Sequence, residues 1–239
     1  MTAPSTEAQG STGFSRRELM VAGSALTASV LLPVAAAQAQ TVATAQAKRA
    51  LIINAHQVYP GISEGRLNRS AAALIKEELE KKGYETRRTA IAAGYDVQQE
   101  AEKNLWANVI IVQSPAYWIS TPYIYKKYVD EIFTSAMIAG TFLGGDGRPQ
   151  GQYGSGGKMQ GKKFMASLTM NAPREAFNDP TQQLFAGRGI DDVFFSASAP
   201  YRFCGVEILP AFAFFDVIKN PDVLNDFARL RKTLDTHFG

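Results

Sequence analysis

The sequence predicts an α/β domain, a parallel sheet between two layers of helices, on three observations. Two short runs, Ala50-Leu51-Ile52-Ile53 and Val109-Ile110-Ile111-Val112, are apolar without alternation, as suits strands buried on both faces. Each is followed by a loop and then by a segment with apolar residues at helical spacing. Glycine and proline punctuate the junctions, Pro60-Gly61 after the first run and Pro122 after the second. Strand, loop and helix repeated in that order build βαβ units with right-handed crossovers.

Along the chain, the first strand ends at Asn54 and a helix is expected from Ser63, a plausible N-cap, with Leu67, Ala71, Leu74, Ile75 and Leu79 on one face up to Gly83. Tyr84 to Ile91 mixes threonine and arginine and reads as an edge strand. Asp96 to Leu105 is a short helix, with Trp106 placed to cover the sheet end. After Val112 a loop from Gln113 to Thr121 leads to Pro122, suited to the first position of a helix whose buried face is Ile124, Tyr128, Val129, Ile132 and Phe133. Gly140 to Gly161 is a glycine-rich loop, long enough to be functional or mobile. Lys162 to Thr169 returns to strand, Asn171-Ala172-Pro173 breaks it, and Phe203 to Leu209 is expected as the last core strand. Pro221 opens a terminal helix with Val223, Phe227, Leu230 and Leu234 on one face. Five such strands fit a flavodoxin-like three-layer sandwich with a five-stranded parallel sheet better than a six-stranded dinucleotide fold.

Residues 1–47 read as an export signal and linker ahead of a single domain, 48–239. Ser15-Arg16-Arg17-Glu18-Leu19-Met20 precedes a weakly apolar run, and Ala37-Gln38-Ala39 is a small-x-small cleavage site. This resembles a twin-arginine (Tat) signal peptide, which exports proteins already folded. The run is too short and too alanine-rich for a stable membrane anchor. The periplasm is therefore expected, with the cytoplasm as the alternative. A formal charge of +3 with scattered lysines and arginines offers no nucleic-acid stripe. One cysteine and two distant histidines exclude an internal disulfide and argue against a metal site of N/S type.

In open parallel sheets ligands bind beyond the carboxyl ends of the strands. Three loops end there. The first carries Ser63, Gly65, Leu67, Asn68 and Ser70 at a helix N-terminus, suited to a phosphate-bearing group, though it lacks the three-glycine dinucleotide fingerprint. The second carries Pro115, Ala116, Tyr117 and Trp118, flat rings that could line an isoalloxazine edge while backbone amides bond its carbonyls. The third, Thr169, Met170, Asn171 and Ala172, offers small residues and N–H groups where a reduced flavin gathers negative charge. Ordinary capping and core closure would explain the first two loops taken singly.

Together with Ala50-Leu51-Ile52-Ile53-Asn54, the stretches Gly65 with Leu67-Asn68, Lys126-Lys127-Tyr128-Val129-Asp130, Tyr153-Gly154-Ser155-Gly156-Gly157 with Gln160-Gly161-Lys162-Lys163, Asn171-Ala172-Pro173 with Glu175-Ala176-Phe177, and Asp216-Val217-Ile218-Lys219 carry a resemblance. The chain resembles the NAD(P)H:quinone oxidoreductases of the modulator of drug activity B type, within the flavodoxin-like quinone reductase family. It departs from that pattern at Met170, at Ala116-Tyr117, and at Glu64 and Arg69. The resemblance implies FAD rather than FMN, held at Ser63–Ser70, Pro115–Trp118, Tyr153 and Thr169–Ala172. It implies NAD(P)H as co-substrate, a quinone as acceptor, and a homodimer in which the glycine-rich loop closes a shared pocket. Asn171 would serve charge stabilisation, and Tyr153 would be the proton donor to the quinone. NAD(P)H is a cytoplasmic metabolite, so an exported enzyme would need another donor. Two rivals stand beside this reading: a non-catalytic flavin-binding electron carrier, and a hydrolase using Ser114 or Ser167 with His237, which no G-x-S-x-G elbow supports.

Overall fold

The structure, a computed structural model, describes residues 48–239. The expected export segment, residues 1–47, lies outside the described residues. Strand β1 (Arg49–Asn54) is flanked by β2 (Glu85–Ala90) and β3 (Val109–Pro115), all parallel. Strand β4 (Lys163–Thr169) pairs with β3, and both β5 (Glu207–Ile208) and β6 (Phe212–Phe214) pair in parallel with β4. The order β2-β1-β3-β4-β5 is the flavodoxin-like one.

Period-two alternation sends neighbouring strand residues to opposite faces, and both faces are covered. Ala50, Ile52, Val109, Ile111 and Met165 pack with α1 (Arg66–Lys81) and α6 (Val223–Phe238). Leu51, Ile53, Ile110, Val112 and Phe164 pack instead with α2 (Val97–Trp106), α3 (Tyr123–Ile138) and, further along, α4 (Ile190–Val193) and α5 (Phe195–Phe203). Each fully buried leucine or isoleucine contributes about 2 kcal/mol. At the edge, Arg87 of β2 lies 4.1 Å over the ring of Trp106, which closes that end of the sheet as expected. Among the described residues, no helix is long and apolar enough to cross a membrane.

Four expectations need correction. Helix α1 starts at Arg66 behind Gly65, and Ser63 is not its cap. Strand β3 runs on through Gln113 and Ser114 to Pro115: both side chains are buried, the Gln113 amide N–H donating to Asn68 and the Ser114 hydroxyl to Pro115 O, while the Gln113 side-chain oxygen has no partner among the described residues. The last lane is not one strand over Phe203–Leu209. Phe203 ends α5, and Pro210, with no N–H to give the ladder, separates β5 from β6. Helices α4 and α5 were not expected, since Pro200 stands inside α5 and the apolar period is short. The glycine-rich loop is tied across itself by an antiparallel bridge between Leu143 and Gly157.

Candidate functional site

Strands β1, β3 and β4 are parallel and in register, so their carboxyl ends reach one rim: Asn54 sits beside Gln113, and Pro115 beside Thr169. The three loops chosen from the sequence leave from that rim.

The first turn is held by its own polar groups. The Asn54 side-chain oxygen accepts from the His56 N–H (3.1 Å), and a bridge between Tyr59 and Ser63 closes a small hairpin. Gly65 then adopts a left-handed conformation (φ 72°) and leads into α1. A Cβ at Gly65 would stand 2.5 Å from Nδ1 of the buried His56 ring, so the close approach as well as the backbone requires glycine. No side chain caps α1, its first turn holds no acidic residue, and the N–H groups of Arg66, Leu67 and Asn68 have no acceptor among the described residues. That leaves the positive end of a 16-residue helix, with Arg66 beside it, open to an anion.

The second turn is a two-residue hairpin. Tyr117 N–H donates to Ser120 O (2.8 Å) and Ser120 N–H to Tyr117 O (3.1 Å), with Trp118 (φ 49°) and Ile119 (φ 67°) both left-handed at the tip. Ala116 N–H donates to Thr169 O (2.8 Å). The amides of Ala116 and Tyr117 are thus taken by protein acceptors, and of the loop's expected donors the Trp118 N–H is left without an acceptor among the described residues. Tyr117 does something else: its hydroxyl donates to Gln57 O (2.7 Å) and lies 2.7 Å from Ser63 Oγ and 3.2 Å from His56 Nε2. His56 Nε2 is also 3.1 Å from Ser63 Oγ. The three side chains clasp the second turn to the first. Burial, then the Arg69 charge, hold the His56 pKa below its ordinary value against a weaker pull from Glu64. Burial raises the Tyr117 hydroxyl, partly offset by Ser63. Both groups are neutral at pH 7.

The third turn is joined to the others by a buried amide chain. Gln113 Nε2 donates to Asn68 Oδ1 (2.9 Å), and Asn68 Nδ2 donates to Thr169 Oγ1 (3.0 Å). Met170 N–H is used by Phe214 O (3.0 Å), whereas the N–H groups of Asn171 and Ala172 have no acceptor among the described residues. The Asn171 side-chain oxygen accepts from Lys219 N–H (3.3 Å).

These turns enclose a cleft of about 240 Å³. Ser63, Gly65, Leu67, Asn68, Pro115, Ala116, Tyr117, Thr169, Met170 and Asn171 all line it. Four expected residues do not. Ser70 is exposed further along α1, Ala172 packs against the core, and Trp118 is 99% exposed at the hairpin tip. Tyr153 lines a larger cavity of about 710 Å³ with Phe195, Pro200 and Phe203. The open helix terminus and the strand ends meet at the smaller cleft and not at the larger cavity. Sequence reasoning missed His56, Arg66 and Gln113, and the wall residues Ile62, Val217 and Ile218. Val217 and Ile218 lie in a stretch that carried the family resemblance; no local pattern pairs His56 with Tyr117. Ser114 and Ser167 are fully buried, which removes the hydrolase reading. Among the described residues, no group of three His, Cys, Asp or Glu side chains could hold a metal ion.

A family model described as a flavodoxin-like fold matches residues 48–238. The chain is 40% identical over 183 residues to the NADPH:quinone oxidoreductase MdaB of Haemophilus influenzae, covering 75% of this chain and 94% of that protein. Among solved structures it is similar to an NAD(P)H:quinone oxidoreductase from Methanothermobacter marburgensis (TM-score 0.56, 15% identity, 78% of this chain and 94% of that one). It is also similar to the general stress protein 14 of Treponema denticola in complex with FMN (TM-score 0.53, 17% identity, 79% and 98%). At these identities the two structures speak for the fold.

Proposed function

The chain belongs to the flavodoxin-like family of NAD(P)H:quinone oxidoreductases of the modulator of drug activity B type, and from that premise we propose that it reduces quinones with NAD(P)H through a bound FAD. One observation carries the reading: an uncapped helix N-terminus, a clasped turn and a strand end meet around one cleft. The residues present fit the cofactor. The N–H groups of Arg66 to Asn68 and the Arg66 side chain suit its phosphates, and Pro115–Tyr117 and Thr169–Asn171 flank a slot for its ring. Bound flavin supplies hydride acceptance and two-electron delivery, chemistry that no side chain here provides.

The chain's own part is position and electrostatics. The Gln113–Asn68–Thr169 chain and the His56–Ser63–Tyr117 clasp hold three turns at fixed separation, which is what orients a bound ring. The unpartnered N–H group of Asn171, which lines the cleft, favours negative charge developing beside it. The overall reaction balances as NAD(P)H, one proton and a quinone giving NAD(P)⁺ and a hydroquinone. Tyr153, apart from the cleft in a single chain, would serve as proton donor from the second copy of a homodimer, carried there by the glycine-rich loop. The twin-arginine pattern supports export of the folded, loaded protein to the periplasm, with the cytoplasm as the alternative; fractionation of cells carrying tagged protein decides between them.

The test is optical. Purified protein should show a flavin spectrum that bleaches under NADPH and recovers on addition of a benzoquinone. A spectrum that does not bleach selects the electron carrier, and a colourless protein that FAD and FMN both fail to reconstitute refutes the reading. Releasing the flavin by denaturation and identifying it by mass distinguishes FAD from FMN. Asn171→Asp should slow flavin reduction by placing a carboxylate beside the reduced ring.

A further inference from the structure

Behind the cleft runs a row of buried polar side chains whose protons can be counted. Gln113 (0% exposed), Asn68 (4%) and Thr169 (4%) come from β3, α1 and β4. Gln113 Nε2–H donates to Asn68 Oδ1, which turns the Asn68 amide N–H toward Thr169. There it donates to the Thr169 hydroxyl oxygen. A hydroxyl carries one proton. That of Thr169 has no acceptor among the described residues, and Thr169 lines the cleft.

The large majority of buried side-chain polar groups are hydrogen-bonded, so an unspent proton on the wall of a cleft points to a ligand that accepts it. Gln113 is not among the cleft-lining residues, and whatever it does there passes through Asn68 and Thr169. Behind it, the Gln113 side-chain oxygen and the Ser167 hydroxyl, register partners on β3 and β4, are buried without partners among the described residues. Turning both amides over would draw the Thr169 proton inward to Asn68 and leave only an acceptor at the wall. The two directions therefore make opposite demands on a bound group.

We infer that Gln113 and Asn68 fix the Thr169 hydroxyl as a hydrogen-bond donor to a carbonyl or ring nitrogen of the bound flavin, with Gln113 a positioning residue that does not touch the cofactor. This rests on the flavin reading of the cleft and assigns a direction to its hydrogen bonding. A hydroxyl aimed in advance at its acceptor loses little freedom on binding. With the open Asn171 N–H, the wall that follows β4 offers donors to the electron-rich edge of a ring.

The experiment titrates the full chain, freed of flavin, with FAD and in parallel with FMN, followed by flavin fluorescence. Thr169→Val keeps the shape and removes the hydroxyl, and should weaken binding about fivefold or more; Thr169→Ser should bind as the wild type does. Gln113→Met should weaken it by a similar factor, and no further when combined with Thr169→Val, because both remove the same bond. Gln113→Asn, too short to reach Asn68, serves instead if Gln113→Met does not fold. At saturating flavin, the infrared carbonyl and ring bands should move in Thr169→Val and in the Gln113 variant and stay in place in Thr169→Ser. A row that only ties the turns together would lower the urea midpoint and leave those bands unmoved, which would overturn the inference. So would wild-type or tighter binding by Thr169→Val, or a Gln113 loss undiminished in the Thr169→Val background. A wild-type chain that binds neither flavin would instead bring down the parent reading, and this inference with it.

Discussion

Replacing Gly65 with alanine tests how the first turn is built. Its φ of 72° makes any Cβ unfavourable by about 1–2 kcal/mol. The new Cβ would also stand 2.5–2.8 Å from three atoms of the His56 ring, which must move. Moving it costs His56 Nε2 its approaches to Ser63 Oγ and Tyr117 Oη, each worth about 1 kcal/mol. The total, about 2–4 kcal/mol, corresponds to a fall in Tm of roughly 5–12 °C for a domain of this size. Gly83→Ala is the internal control. Gly83 has φ 81° but nothing within 4 Å of a Cβ, so it reports the backbone part alone, roughly 3–6 °C. Thermal unfolding followed by circular dichroism measures both, and fluorescence titration with FAD should show weaker retention only for Gly65→Ala. Combining Gly65→Ala with His56→Ala should cost less than the sum of the two, since each disturbs the same contact. If Gly65→Ala and Gly83→Ala are equally destabilising, the ring does not pack under the helix start and the clasp is not assembled as described.

Other outcomes follow from the same geometry. His56 is held below the ordinary histidine value of about 6.5, so below that pH the unfolded chain binds more protons than the folded one. Stability should therefore be full above pH 6.5 and fall as pH drops through the folded-state pKa; urea unfolding of His56→Gln should lose this slope, and an unchanged slope would contradict it. Asn68→Leu leaves the Gln113 amide and Thr169 hydroxyl buried without partners and should cost about 2–4 kcal/mol, read as a lower urea midpoint at unchanged m-value. Burial pushes the Cys204 thiol up to about 11, so iodoacetamide at pH 7.5 should label the native protein more than about a hundredfold more slowly than the unfolded chain.

How much of this was legible in the sequence depends on the range of the forces involved. Strands β1 and β3 were readable because burial on both faces removes alternation, and that is a local signal. The convergence of three loops was readable because strand ends of a parallel sheet must meet at one rim. The start of α1 was not. Ser63 has the chemistry of a cap, but its hydroxyl is taken by Tyr117, 54 residues away, and by His56, and no local rule reports such partners. Gln113 and Ser114 looked like loop because polar residues rarely run on in a buried strand; here Asn68 meets the Gln113 amide, 45 residues away. The last lane was misread because Phe203, Val206 and Leu209 supply apolar character while Pro210 sets the break. In the loop expected to offer backbone donors, the Ala116 and Tyr117 amides are taken by Thr169 and Ser120, and the first of these partners appears only once the turns are folded against each other.

The most direct test is a crystal structure of the protein soaked or grown with FAD. The phosphates should lie at the N–H groups of Arg66 to Asn68, with the ring between Pro115–Tyr117 and Thr169–Asn171. Density for the ring against Phe195 and Phe203 of the same chain, with the cleft empty, would contradict the account.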